Sequence, residues 1–273
     1  MIVAHTSPVA HGAFVLGCCI ALAVYGVAWL TGSRRSTLRM WCWTGGLVAL
    51  AVSTAPSVEQ WAAESFAGHM VQHLLLIVVA APLLVLARPV STVASRWSPA
   101  GARSTTRRHA ASWWRRAGPL LAPAFFLATL YVTHLTGIYD AALGNQLVHD
   151  VEHLAYVAAA CALWAVVTAS GRAGSAGRVG AVFGIIGGSA LLGVVLLSAP
   201  TPLIPTYARE LGIEAALDDQ RAAASLMWVG GMAITLPLLI VSVWRWAAAE
   251  ERIAERSESA RSDHALAEPR NRK

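Results

Sequence analysis

Two short segments of the sequence repeat one spacing: His69-Met70-Val71-Gln72-His73 and His149-Asp150-Val151-Glu152-His153. Residues four apart on a helix differ by only about 40° in direction, so each pair presents two imidazoles on one side. That side either chelates a metal or bonds each ring to a neighbouring helix. Polar packing is the ordinary reason for one such pair, but ionisable groups at membrane depth are costly and usually mark a site. Glu152 lies three residues after His149 and can hold an imidazole through its second nitrogen. Asp219, next to Asp218, can do the same, or it can cap its own helix as an N-terminal acid. With His134, the candidate ligands are His69, His73, His134, His149, His153 and Asp219.

Ligand softness bears on which metal such a set would take. Imidazole suits zinc, copper and iron, whereas thioether and thiolate favour Cu(I). Met70 lies inside the first pair but points about 100° away from His69. Met227 sits two turns beyond Asp219. Glu152, Met70 and Met227 are therefore supporting or weaker candidates. Cys161, two turns beyond His153 and offset by about 80°, is either a deeper ligand or core packing. The residues accommodate copper without selecting it.

The elements that must position these groups are membrane helices. The chain has 273 residues, 56% hydrophobic and 13% charged, with a mean hydropathy of +0.54. A soluble domain carries about 25% charge, so the deficit implies a lipid-facing surface. Charge falls in blocks between apolar runs. A helix crossing about 30 Å of hydrocarbon needs roughly 20 residues, and runs near that length occur at 11–31, 40–57, 69–88, 119–136, 147–170, 179–199 and 221–246. The expected fold is an all-α polytopic bundle of about seven transmembrane helices over residues 1–248. A charged tail, 249–273, is expected to begin as a helical extension and become disordered. The start lacks a basic segment before its first apolar run, so that run is expected to remain as a helix.

Orientation follows from arginine. The connections at 32–39, 88–118 and 171–178 hold arginines and no acid, while those at 58–68, 137–146 and 200–220 hold Arg209 alone against Glu59, Glu64, Asp140, Glu210, Glu214, Asp218 and Asp219. Positive connections stay inside, which places the N-terminus outside and the C-terminus inside. His5, His11, His69, His73, His134, His149 and His153, seven of the nine histidines, then map to the outer side. The basic stretch 89–118, with Trp97, Trp113 and Trp114, is expected to rest at the headgroup interface. The net charge of +6 comes from these connections and gives no reason to expect nucleic acid. Cys18, Cys19, Cys42 and Cys161 fall inside apolar runs without paired spacing, as buried free thiols do.

Several of these residues also carry a resemblance. His69-Met70-Val71-Gln72-His73-Leu74-Leu75-Leu76, running into Ala81-Pro82-Leu83 and Arg88-Pro89, resembles the third-helix motif of the CtaG family, membrane proteins for assembly of caa3-type cytochrome c oxidase. His134 with Tyr139-Asp140-Ala141-Ala142 resembles the family's histidine and tyrosine-aspartate segment. His149 with Glu152-His153 resembles its H-x-x-E-H helix start, Asp219-Gln220 through Met227-Trp228 its DQ…MW helix, and Pro205-Thr206-Tyr207 the loop upstream of that helix. Leu135-Thr136-Gly137 departs from a usual proline, and Ala223-Ala224 stands for a usual alanine-glycine. The resemblance implies a multi-pass protein of the bacterial cell membrane that helps mature a terminal oxidase. Its implied partners are cytochrome c oxidase subunits and other copper chaperones, and its implied cargo is copper held at the outer histidines.

Two other function classes fit part of the pattern. Histidines on two helices could ligate a b-type haem for electron transfer, with His73 and His153 as axial ligands. A metal or proton transporter could line its path with the same groups, although the inner halves of the runs hold almost no ionisable residues. No nucleophile–base pair, phosphate loop or dinucleotide fingerprint is present, and the expectation is a protein that is not an enzyme.

Overall fold

The computed structural model describes residues 8–32, 35–97, 105–169 and 175–267. His5, Arg34, Arg103, Arg172 and tail residues 268–273 lie outside the described residues. Among the described residues every regular element is helical. Six helices are long and apolar enough to cross a membrane: Val9–Thr31, Phe66–Ala94, Ser112–Leu135, Gln146–Val167, Ala176–Ser198 and Ile213–Ser259. They expose Phe14, Leu16, Ile20, Leu191, Val229 and Ile240, while Glu59, His69, His73, His149 and Glu152 are buried. Apolar residues outside and polar residues inside is what a hydrocarbon solvent selects.

The expected second span is a shorter helix. After α1 (Pro8–Thr31), α2 covers Thr37–Ser53, 17 residues, or about 25 Å at 1.5 Å per residue. It sits at the lower limit of spanning length. It packs between α1 and the later part of the third span, and a Cβ on Gly46 would lie 2.8 Å from Leu84 Cδ2. Its end comes early because Pro56 opens α3 (Pro56–Glu64) and holds Ala55 in an extended conformation (φ −66°, ψ 141°).

The third span is continuous but changes winding. It runs as α4 (Phe66–Leu74), a π-helical segment (Leu75–Ala80) and α5 (Ala81–Ala87). The Ala81 N–H donates to Leu76 C=O, five residues back. In that winding the Ile77 carbonyl would need the N–H of residue 82, which is Pro82 and has none. Trp164 on α9 (Gln146–Val167) supplies the donor instead, its Nε1 lying 2.9 Å from Ile77 O. Proline, π winding and the tryptophan of the next helix are thus one device.

The stretch after Arg88 is helical. Arg88 takes the left-handed conformation (φ 51°) and separates α5 from α6 (Pro89–Trp97). The next helix, α7 (Thr105–Leu135), is longer than the expected span and keeps Pro119 and Pro123 inside it. α8 (Ile138–Gly144), α10 (Ser175–Ser198) and α11 (Pro205–Leu211) follow, and α12 runs unbroken from Ile213 to Ala267, past the point where composition suggested loss of order. Tyr25 on α1 donates from its hydroxyl to Ala87 O at 2.9 Å, and Trp43 Nε1 donates to Ala21 O at 3.2 Å, holding α1 against the bundle.

Short helices α3, α8 and α11 gather at one end with Glu59, Asp140 and Asp219; we call it the acidic end. Every buried histidine and carboxylate of the described residues lies there. Alongside the π segment and α5, α9 is in close backbone contact with the third span; beside α4 the two helices diverge. The gap between α4 and α9 is where the histidines sit.

Candidate metal centre

The two helices present their histidines in register. His69 and His149 are each the fourth residue of their helix, and His73 and His153 each the eighth. At 1.5 Å per residue the second pair lies about 6 Å deeper than the first. Ring centroids are 5.5 Å apart for His69 and His149, 5.4 Å for His73 and His153, and 4.1 Å for His149 and His153. His69 Nε2 meets His73 Nε2 at 3.1 Å. The four imidazoles expected to cluster therefore form one group, all buried.

Two three-residue groups built on it could hold a metal ion by their geometry. His69, His73 and His153 form one; Glu59, His149 and His153 form the other; in each, one ligand atom per residue lies within 4.8 Å of the rest. His153 belongs to both. Buried His73 Nδ1, His153 Nε2 and both Glu152 carboxylate oxygens make no hydrogen bond among the described residues. Buried polar atoms are ordinarily satisfied, so these fit a site that takes a cation.

Glu59 is the member that sequence reasoning missed. It sits in the first turn of α3, is 3% exposed, and its Oε2 is 3.6 Å from His149 Nδ1. Gln72 holds the carboxylate in place, its Nε2 donating to Glu59 Oε1 at 2.8 Å and to Ser53 O at 2.7 Å. Glu152 lies on the other side, 3.9 Å from His69 Nε2 and 4.0 Å from His73 Nε2. It stands beside the deeper group as a counter-charge, not inside either group.

Other candidates are used differently. Asp219 caps the beginning of α4: Phe66 N donates to its Oδ2 at 2.6 Å and Ala67 N to its Oδ1 at 3.2 Å. Both oxygens are thereby occupied, and the helix capped is α4, not its own. Gln220 continues the role, accepting from Leu203 N at 2.7 Å and donating to Leu196 O at 2.9 Å. Asp140 caps α11 through Thr206 N at 2.9 Å. These contacts fix the short helices over the histidines.

His134 lies outside both groups. Its Nδ1 is 2.8 Å from the Leu130 carbonyl, which can only accept, so Nδ1 carries the proton and the Nε2 lone pair faces Met70 Sδ at 3.4 Å. Met227 is buried deeper, on an apolar cavity of about 90 Å³ with Phe126, Leu130, Trp164 and Ile185, and no histidine lines that cavity. Cys161 is half-buried with its Sγ 3.9 Å from Ala81 O, on the packing side of the π segment. Cys19, expected to be buried, is exposed on α1.

Aromatic rings close the walls. Tyr139 is 4.5 Å from His69 and Tyr156 is 4.3 Å from His73, centroid to centroid. Tyr156 and Thr133 hydroxyls meet at 2.5 Å, and Tyr207 donates to Ala62 O of α3 at 2.8 Å. Burial, then Tyr207 and Glu152, push the Tyr139 phenol well above its ordinary range, so it stays a neutral wall.

The sequence family described as cytochrome c oxidase caa3 assembly factor (Caa3_CtaG) matches residues 23–249. The chain belongs to that family. All the residues of both three-residue groups fall within the matched segment. Uncharacterized proteins of Mycobacterium bovis and Mycobacterium tuberculosis are each 24% identical over 261 residues, covering 90% of this chain and 39% of theirs. One of Mycobacterium leprae is 23% identical over 238 residues, covering 81% of this chain and 36% of its own length. The chain thus spans under two fifths of the curated relatives it matches. No solved structure matches it.

Proposed function

We propose that this Caa3_CtaG-family protein is a non-enzymatic assembly factor of the bacterial cell membrane that binds copper at the buried histidine cluster and helps deliver it to cytochrome c oxidase. The carrying observation is the pair of ligand groups sharing His153, within a chain whose family is described by oxidase assembly. Imidazole-rich sites suit copper among the metals that histidine binds. Its partners on this reading are oxidase subunits, with other copper chaperones upstream. A transport path has no support on the arginine side, where the described residues bury no histidine or carboxylate.

The experiment is to purify the oxidase from cells with and without this protein, grown at limiting copper, and measure copper per haem. Copper per haem should fall severalfold without the protein and recover with the wild-type chain. An unchanged ratio sinks the copper reading.

Delivery outside the cytoplasm requires the acidic end to face outward, as arginine bias indicates. A single cysteine added after Lys273 should resist a membrane-impermeant thiol reagent in intact cells and react after permeabilisation. Labelling in intact cells would reverse the orientation.

A further inference from the structure

Five buried residues form two ligand groups around one shared imidazole, an arrangement suited to motion of an ion and not only to its retention. A cavity of about 530 Å³ opens between α1, α2, α3 and α9, lined among others by His11, Ser53, Glu59, Gln146, Asp150 and His153. Of the four clustered histidines, only His153 lines it. Asp150 is exposed and His11 half-exposed on its wall, so a cation arriving from water meets a carboxylate and an imidazole there first.

We propose that Glu59, His149 and His153 form an entry position for a single Cu(I) ion, and that His153 passes the ion to a deeper position formed with His69 and His73. This rests on the copper reading above and assigns that site an order of filling. A shared ligand lets the ion change partners one at a time: Glu59 and His149 leave as His69 and His73 bind, with His153 held throughout. The ion is never bare, which matters because an unpaired charge in a low-dielectric interior is strongly disfavoured.

Charge supports a monovalent ion. The entry position contains one carboxylate, Glu59. The deeper position has one carboxylate beside it, Glu152, 3.9 Å from His69 and 4.0 Å from His73. One carboxylate at each position matches a singly charged ion, so formal charge favours neither position over the other. A divalent ion would be left with an excess positive charge at both.

The test uses the full chain in detergent, loaded anaerobically with Cu(I) and followed by metal analysis, stopped-flow loading from a coloured Cu(I)–chelator complex, and X-ray absorption. Wild type should hold one Cu(I) per chain. Glu59→Gln keeps an acceptor for Gln72 and should still hold one ion, in an all-imidazole shell, but load at least tenfold more slowly. His73→Ala should hold one ion with a carboxylate oxygen in its shell. His153→Ala should weaken binding about 100-fold. Circular dichroism identifies any variant that is misfolded, and His149→Gln then serves as the second entry-position variant. Wild-type loading rates in Glu59→Gln and His149→Gln would overturn the relay while leaving copper binding intact. Two ions per wild-type chain would also overturn it. A wild-type chain that binds no Cu(I) would overturn both the relay and the function proposed above.

Discussion

His153→Ala is expected to reduce oxidase activity at least tenfold in copper-limited cells, whereas His134→Ala should leave it within about twofold of wild type. His153 is the only histidine shared by both ligand groups, so its loss breaks each of them. Even outer partners of metal ligands contribute 10–100-fold to affinity, and a direct ligand contributes at least as much. His134 instead bonds its Nδ1–H to Leu130 O and faces Met70. Its removal leaves a cavity and a lost hydrogen bond, and the expected signature is a lower melting temperature. Added copper should partly rescue His153→Ala, because mass action offsets weakened binding; zinc should not. Abundance of both variants, read by immunoblot, separates the effects. If His153→Ala protein disappears, the cluster is structural. If it persists with full activity under copper limitation, the imidazoles are packing residues.

The histidine pairs were legible because their information is local. A spacing of four on an apolar run states both the helix and the shared face, and the arginine bias of the connections puts both pairs on the same side. Glu59 was not legible for the same reason. It lies in a nine-residue helix, too short for periodicity to tell a buried side from an exposed one, and among other acids of its connection it looks like a surface charge. What buries it is tertiary: Gln72 of α4 and His149 of α9 reach it from two other helices. Asp219 shows the converse. A carboxylate at a helix start reads as its own helix's cap or as a ligand, while its actual acceptor duty lies 153 residues away at Phe66 N.

The fold divides along the same line. Apolar length marked out the six helices long enough to span, and α2 as a seventh that falls short, but not the π segment, which needs Pro82 and the remote Trp164 together. Nor did length show that Pro56 ends α2 at Ser53 and turns α3 across the acidic end. On the proposed function that turn matters. It carries Glu59 inward and makes the boundary of the cavity by which an ion would enter.

Gly68→Ala should be the most disruptive single methyl in this end of the molecule. A Cβ at Gly68 would lie 2.6 Å from Trp61 O and 2.8 Å from Ser65 Oγ. Ser65 can rotate, but Trp61 O is backbone in the last turn of α3, and Ser65 N already donates to it at 3.2 Å. The clash can be relieved only by moving α3 away from α4. Overpacking of this kind costs about 1–3 kcal/mol, which should appear as a melting temperature lower by several degrees. The larger consequence is at the cluster: α3 carries Glu59 and α4 carries Gln72, His69 and His73, so separating them draws the carboxylate away from His149. Cu(I) loading should slow at least as much as in Glu59→Gln, although residue 68 has no ligating atom of its own. Gly68→Ala with a wild-type melting temperature and wild-type loading would mean that α3 is not seated on α4 as described.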